Sequence, residues 1–146
     1  MKSKGFTLIE LLVVISIISV LSALLMANFI GVRQRGRDAE RKSDLRQIQS
    51  ALELYRADAG GYPDSTLGEY PVNCGDPINN GSTVYMQELP CDPLSSLGMY
   101  EYTSFNGGQT YQLSSCIENN NDPDIDSSPT TTCQNASMQS VTYLNP

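Results

Sequence analysis

"KGFTLIELLVV", Lys4 to Val14, opens an apolar run that continues to Ile30 with one charge inside it, Glu10. As a helix rising about 1.5 Å per residue, Phe6 to Ile30 reaches roughly 37 Å, enough to cross a bilayer. The run is long for a secretory signal, and Ser22 to Ala27 offers no convincing cleavage site. No Cys follows it closely, which excludes a lipoprotein anchor. Ser19, Ala23 and Ala27 recur every four residues, with Ser16 one turn earlier. That spacing gives either a stripe along which other helices approach closely or a chance use of small residues in a lone anchor.

The carboxylate in this run needs a reason. Thr7 and Glu10 fit the Thr-x-x-Glu capping box, which satisfies two orphan amides at a helix start. A carboxylate in the first turn also gains about 0.3 to 1 kcal/mol from the helix dipole. Placing an acid near the membrane centre costs more, about 2.5 to 3.5 kcal/mol on insertion scales. An intramembrane acid therefore points to a cationic partner. Cleavage between Gly5 and Phe6 would supply one, an ammonium one helical turn from Glu10 or on a neighbouring copy of the chain.

The charge of the remaining sequence is segregated. Of 146 residues, all 9 Lys and Arg lie at or before Arg56, while eleven of the 16 Asp and Glu lie beyond it, within an overall net charge of -7. An anionic C-terminal half repels nucleic acid backbones, so no direct DNA or RNA binding is expected. The sequence has no His, which removes His triads, His bases and His metal ligands. It also has no phosphate-binding Gly-rich loop and no nucleophile motif, so the chain reads as a non-enzyme.

Cys74, Cys91, Cys116 and Cys133 all fall in the acidic half, without a Cys-x-x-Cys pair, which argues against zinc. An even number beyond a membrane segment suits disulfides in an oxidising compartment, against the alternative of four reduced buried thiols. Three connectivities are open; Cys74 with Cys91 and Cys116 with Cys133 is the expected one. Each pair closes a loop rich in Gly, Pro, Asn and Asp, where a crosslink contributes roughly 3 kcal/mol by restricting the unfolded chain.

Beyond the apolar run, Leu45, Ile48, Leu52, Tyr55 and Ala59 recur at helical steps. Asp38 with Lys42 and Glu53 with Arg56 have the spacing of ion pairs on an exposed helical face. Gly60, Gly61 and Pro63 supply a stop, predicting a helix from about Phe6 to Ala59, roughly 80 Å long, with Gly31 and Gly36 as flex points. "YEYTSFNGGQTYQL", Tyr100 to Leu113, predicts a β-hairpin turning at Asn106 to Gly108, and Val141 to Leu144 a further strand. The expected fold class is α+β: a long N-terminal helix packed on a small antiparallel sheet.

"KGFTLIELLVV" resembles the N-terminal signature of type IV prepilins and type II secretion pseudopilins: a basic leader, Gly, Phe, then Glu at the fifth position after the junction. "DLRQIQSALELYRADAGGYP", Asp44 to Pro63, and "LPCDP", Leu89 to Pro93, are similar to the major pseudopilin and related pilins. The resemblance implies cleavage by a prepilin peptidase after Gly5, N-methylation of Phe6, and pairing of Glu10 with the Phe6 amine of an adjacent subunit during assembly. It divides the chain into a leader (1–5), a transmembrane and filament-core helix (6–30), an amphipathic continuation (31–60) and a globular head (61–146) of the pilin fold. Lys2 and Lys4 before the run against Arg33, Arg35 and Arg37 after it favour a cytoplasmic C-terminal side by the positive-inside count, whereas the cysteines and the acidic half favour the opposite. The resemblance places the leader in the cytoplasm, the precursor in the inner membrane, and the assembled filament in the periplasm or outside the cell.

The implied partners are further copies of the chain, the peptidase, an inner-membrane assembly platform with its ATPase, and minor pilins. A type IV pilus-like subunit is the first reading, a major pseudopilin of type II secretion the alternative, and a membrane-anchored binding domain the third. Leu94-Ser95 stands where secretion pseudopilins usually carry Trp-Gly, and Ser19 and Ala27 replace the Gly and Pro linked to local unwinding. No cofactor is required. Asp122, Asp124 and Asp126 in "ENNNDPDIDSS" alternate so that a turn could gather three carboxylates on Ca²⁺, an ion that major pseudopilins hold in a C-terminal loop. The EF-hand pattern fails at Ser127 and Cys133, and a solvated acidic loop is the other reading. Asn80-Gly81-Ser82 and Asn135-Ala136-Ser137 match glycosylation acceptors, with a plain turn the preferred reading of the first.

Overall fold

Helix α1 runs from Leu8 to Ala59 in the computed structural model, which describes residues 5–65, 74–94, 100–127, 133 and 138–144. Residues 1–4 of the expected leader, the Asn135 sequon, Ser95 and the side chain of Ala27 lie outside these. The capping box starts the helix: Thr7 N and Oγ1 donate to Glu10 Oε2 at 2.8 and 2.7 Å, and Glu10 N returns a bond to Thr7 Oγ1. Gly60 ends it, in the left-handed region at φ 79°, its N–H donating to Arg56 O at 2.8 Å. Gly31 and Gly36, expected flex points, both lie within the uninterrupted helix.

The chain divides into two compact units, one ending at Gln34 and one beginning at Arg35. In the first, the apolar side chains are exposed, Phe6 at 83% and Leu8 at 88%. The helix there is long and apolar enough to cross a membrane. Ser16 and Ser19 donate their hydroxyls to Leu12 O and Ile15 O, so neither carries an unsatisfied polar group into an apolar surrounding.

The second unit packs the C-terminal part of α1 against two small antiparallel sheets. Strands β1 (Ile78–Asn79) and β2 (Val84–Met86) form one, and β3 (Glu101–Phe105), β4 (Thr110–Ile117) and β5 (Gln139–Leu144) the other, in the order β3-β4-β5. Tyr102 opposes Leu113 and Ser104 opposes Tyr111 in the first hairpin; Leu113 opposes Tyr143 across β4 and β5. Leu45, Ile48 and Leu52 of α1 are fully buried with Tyr111 and Leu113 of β4, while Ala59, at the helix end, is exposed. Burying a Leu or Ile side chain contributes about 1.5 to 3 kcal/mol, so this seam is the main hydrophobic term of the unit.

The hairpin turn sets how β3 and β4 meet the end of the helix. Asn106, Gly107 and Gly108 all have positive φ, and Gly108 O accepts a 2.7 Å bond from Tyr62 N just beyond α1. The disulfides join Cys74 to Cys91 and Cys116 to Cys133. The first brackets β1 and β2, and Gly75 N to Leu89 O and Leu89 N to Asp76 O extend their ladder toward it. Between the strands, Asn80 Oδ1 accepts from Ser82 N and Thr83 N, the geometry of a side-chain-stabilised turn.

Candidate functional site

Two clusters carry the chemistry, one in each unit. At the N-terminus, Gly5 and Phe6 precede α1 in extended, exposed chain, and Glu10 sits in its first turn. Both bonds from Thr7 go to Oε2 of Glu10, so among the described residues Oε1 accepts nothing. The capping and docking readings of Glu10 are therefore compatible: one oxygen holds the helix start, and among the described residues the other accepts no hydrogen bond.

In the second unit, α1 is clamped to the rest of the head by ions. Arg41 is fully buried and donates Nε and Nη2 to the two oxygens of Asp92 at 2.7 and 3.0 Å. Its Nη1 reaches Asp38 at 2.7 Å and Glu118 at 3.0 Å. Arg37 grips both oxygens of Glu118 at 2.7 and 2.6 Å. Asp38 in turn accepts from the backbone N–H groups of Glu118 and Asn119, each at 2.9 Å. Burial opposes the charge on Arg41, but Asp92, Glu118 and Asp38 outweigh it and hold the guanidinium above its ordinary pKa. Arg37 and Arg41 hold the Glu118 carboxyl below its usual range. Asp44, buried and hydrogen-bonded by Tyr100, is instead pushed up by desolvation.

These contacts correct the expected exposed ion pairs on the helix. Asp38 pairs with Arg41 in the interior rather than with Lys42. Glu53 and Arg56 both engage the Tyr62 hydroxyl, Glu53 accepting at 2.7 Å and Arg56 donating at 3.0 Å. The physical reason is that this face continues the apolar stripe: Asp38 and Arg41 precede Leu45, Ile48 and Leu52 at the same three-and-four spacing. Extending that stripe by two positions places Asp38 and Arg41 on the buried face.

The three alternating carboxylates do not converge. Asp122 and Asp124 both accept from Lys42 Nζ, which rises from α1 beneath the loop. Asp126 is drawn to the open edge of β5 instead. Its N–H donates to Ser140 O at 3.0 Å, Oδ1 accepts from Thr142 N at 3.1 Å, and Oδ2 takes both the Ser140 and Thr142 hydroxyls at 2.7 Å. It thereby occupies ladder groups of an edge strand that would otherwise invite pairing. Among the described residues no group of three or more His, Cys, Asp or Glu side chains is placed to hold a metal ion. With Lys42 on Asp122 and Asp124, and Asp126 on the β5 edge, the described residues do not present the three-carboxylate calcium loop that the alternating spacing suggests.

A capped N-terminal helix with a carboxylate in its first turn, packed farther along on a small antiparallel sheet, defines the pilin-like class. Residues 1–26 match the family described as "Prokaryotic N-terminal methylation motif", and residues 28–128 that of "Type II secretion system (T2SS), protein G". The chain belongs to the type II secretion protein G family, the major pseudopilins. It is 32% identical over 117 residues to a type II secretion system core protein G of Pectobacterium carotovorum subsp. carotovorum, covering 77% of this chain and 72% of that protein. Relatives of the same description in Escherichia coli (strain K12) and Klebsiella pneumoniae are 32% and 31% identical. They cover 74% and 77% of this chain and 75% and 81% of their own lengths. No solved structure matches. These matches favour the secretion pseudopilin, the alternative reading of the sequence, over the pilus subunit, which is the coarser family.

Proposed function

We propose that this chain is the major structural subunit of a type II secretion pseudopilus and has no catalytic activity of its own. A prepilin peptidase removes the leader after Gly5, and Phe6 becomes the methylated N-terminus. The apolar part of α1 holds the subunit in the inner membrane, leader toward the cytoplasm and head in the periplasm. An assembly platform and its ATPase then extrude it into a filament of further copies, with minor pseudopilins. The family match supports the system. The observation that carries the mechanism is Glu10, whose Oε2 is engaged by Thr7 while Oε1 is left for the Phe6 ammonium of the next subunit.

Glu10→Ala, expressed with the secretion machinery, should accumulate in the membrane yet yield no filaments by electron microscopy of sheared material. Thr7→Ala removes the cap but keeps the carboxylate, and filaments should persist. Normal filament numbers from Glu10→Ala would sink the docking role.

A further inference from the structure

Lys42 stands where a loop of this composition would gather a cation. Its Nζ donates to Asp122 Oδ1 and, at 2.7 Å, to Asp124 Oδ2; Asp122 Oδ1 also accepts from Asp124 N at 3.0 Å. The Lys42 and Asp122 side chains are only 14% and 13% exposed. Asp122 N donates to Asn119 O, so the loop turns back on itself around the ammonium. An ammonium is a compact point charge with three donors, suited to bridging two carboxylates. Calcium needs six to eight oxygens at about 2.3 to 2.6 Å, and here it would meet a fixed positive charge in place of ligands.

We propose that Lys42 is the built-in cation of the loop from Glu118 to Asp126: its ammonium takes the place of a bound divalent ion, closing the loop on α1 and making the head independent of calcium. Tethering matters physically. A cation carried on the same chain faces its carboxylates at a high effective concentration that does not vary with the medium, whereas a soluble ion must be supplied. It also adds register, since Lys42 follows Arg41, and the loop it closes begins at Glu118, which Arg37 and Arg41 already hold. One stretch of α1 thus fixes both ends of the Glu118 to Asp124 segment. The inference stands whether or not the chain polymerises.

The test is thermal unfolding of the full chain in detergent micelles, with EGTA or with about 1 mM CaCl₂, together with calcium uptake by equilibrium dialysis. The wild type should show the same melting temperature in both and no saturable uptake. Lys42→Ala should melt lower in EGTA by about 2 to 5 °C and recover with calcium, taking up a stoichiometric ion. Lys42→Arg, which keeps the charge, should melt near the wild type and control for general misfolding. A wild-type melting temperature that rises with calcium would overturn the proposal. So would a Lys42→Ala chain that melts like the wild type in EGTA, or one that calcium fails to restore.

Discussion

Arg41 is the residue on which the docking of α1 to the head turns. Two carboxylates, Asp38 and Asp92, lie against its fully buried guanidinium with side chains 3% and 6% exposed, and Glu118 completes the set. Truncation leaves those buried acids without their shared cation, whereas an apolar replacement of the whole cluster would not. Arg41→Ala should therefore destabilise the head by about 3 to 5 kcal/mol, read by denaturant unfolding. Arg41→Lys should recover part of that loss, because a single ammonium cannot reproduce the bidentate grip on Asp92 while reaching Asp38 and Glu118. A loss below about 1 kcal/mol for Arg41→Ala, the range of a surface ion pair, would show that the cluster is solvated. Charge reads as exposure in the sequence, which pairs Asp38 with Lys42 on a solvent face and assigns no ion-pair partner to Asp92 or Glu118. Their pairing partners come from positions 51 and 77 residues away along the chain, which no local pattern reveals.

Elements set by local chemistry were legible, and those set by tertiary closure were not. The helix follows from the Thr7–Glu10 cap, the Leu45 to Leu52 stripe and the Gly60 stop, and the β3–β4 hairpin from alternating aromatics around Asn106 to Gly108. The short strands β1 and β2 have too few residues for any period to show; the Cys74–Cys91 crosslink and the Asn80 turn bring them together. In the hairpin, the two turn glycines are not equivalent. A Cβ on Gly108 would lie 2.6 Å from Tyr62 O, a backbone atom, whereas one on Gly107 meets nothing within 4 Å. Both have positive φ, so both alanine variants bear the left-handed cost of about 1 to 2 kcal/mol. Gly108→Ala must in addition push the turn away from Tyr62 and break the bond from Tyr62 N to Gly108 O. Gly108→Ala should thus lower the melting temperature clearly more than Gly107→Ala, and should speed amide exchange at Tyr62. Equal effects would mean that the turn is not docked on the helix end.

At the scale of the whole molecule, the segregation of charge explains why α1 and the acidic half bind each other: the cations of Arg37, Arg41 and Lys42 stand on the helix, and Asp92, Glu118, Asp122 and Asp124 come from the chain beyond it. With no His in the sequence, none of these contacts changes charge near neutrality, and the pH limits of the head are set at the two extremes. On the acid side, Arg37 and Arg41 depress Glu118. Desolvation works against ionisation of Asp122, but Lys42 and the Asp124 amide outweigh it and hold that carboxyl low as well. A depressed folded pKa contributes stability above the unfolded value and loses it as pH falls through the folded value. Asp44 has the opposite sign: burial raises it, so its protonation on acidification relieves a penalty. Stability should therefore hold, or rise slightly, as pH drops into the carboxylate range, and fail below about pH 4 once Glu118 and Asp122 protonate. On the alkaline side, burial pushes Tyr111 up to about 12 and raises Tyr100, whose hydroxyl donates to Asp44. Raised phenol values give stability that is complete below the unfolded pKa, about 10, and is lost as pH climbs through the folded one. Melting temperature against pH should accordingly be flat from about pH 6 to 9, with acid and alkaline falls on either side. The Arg41→Ala chain should begin its acid fall at higher pH, because Glu118 loses one of the two cations that hold its proton off. An unchanged acid limb in that variant would show that acid unfolding starts somewhere other than the clamp.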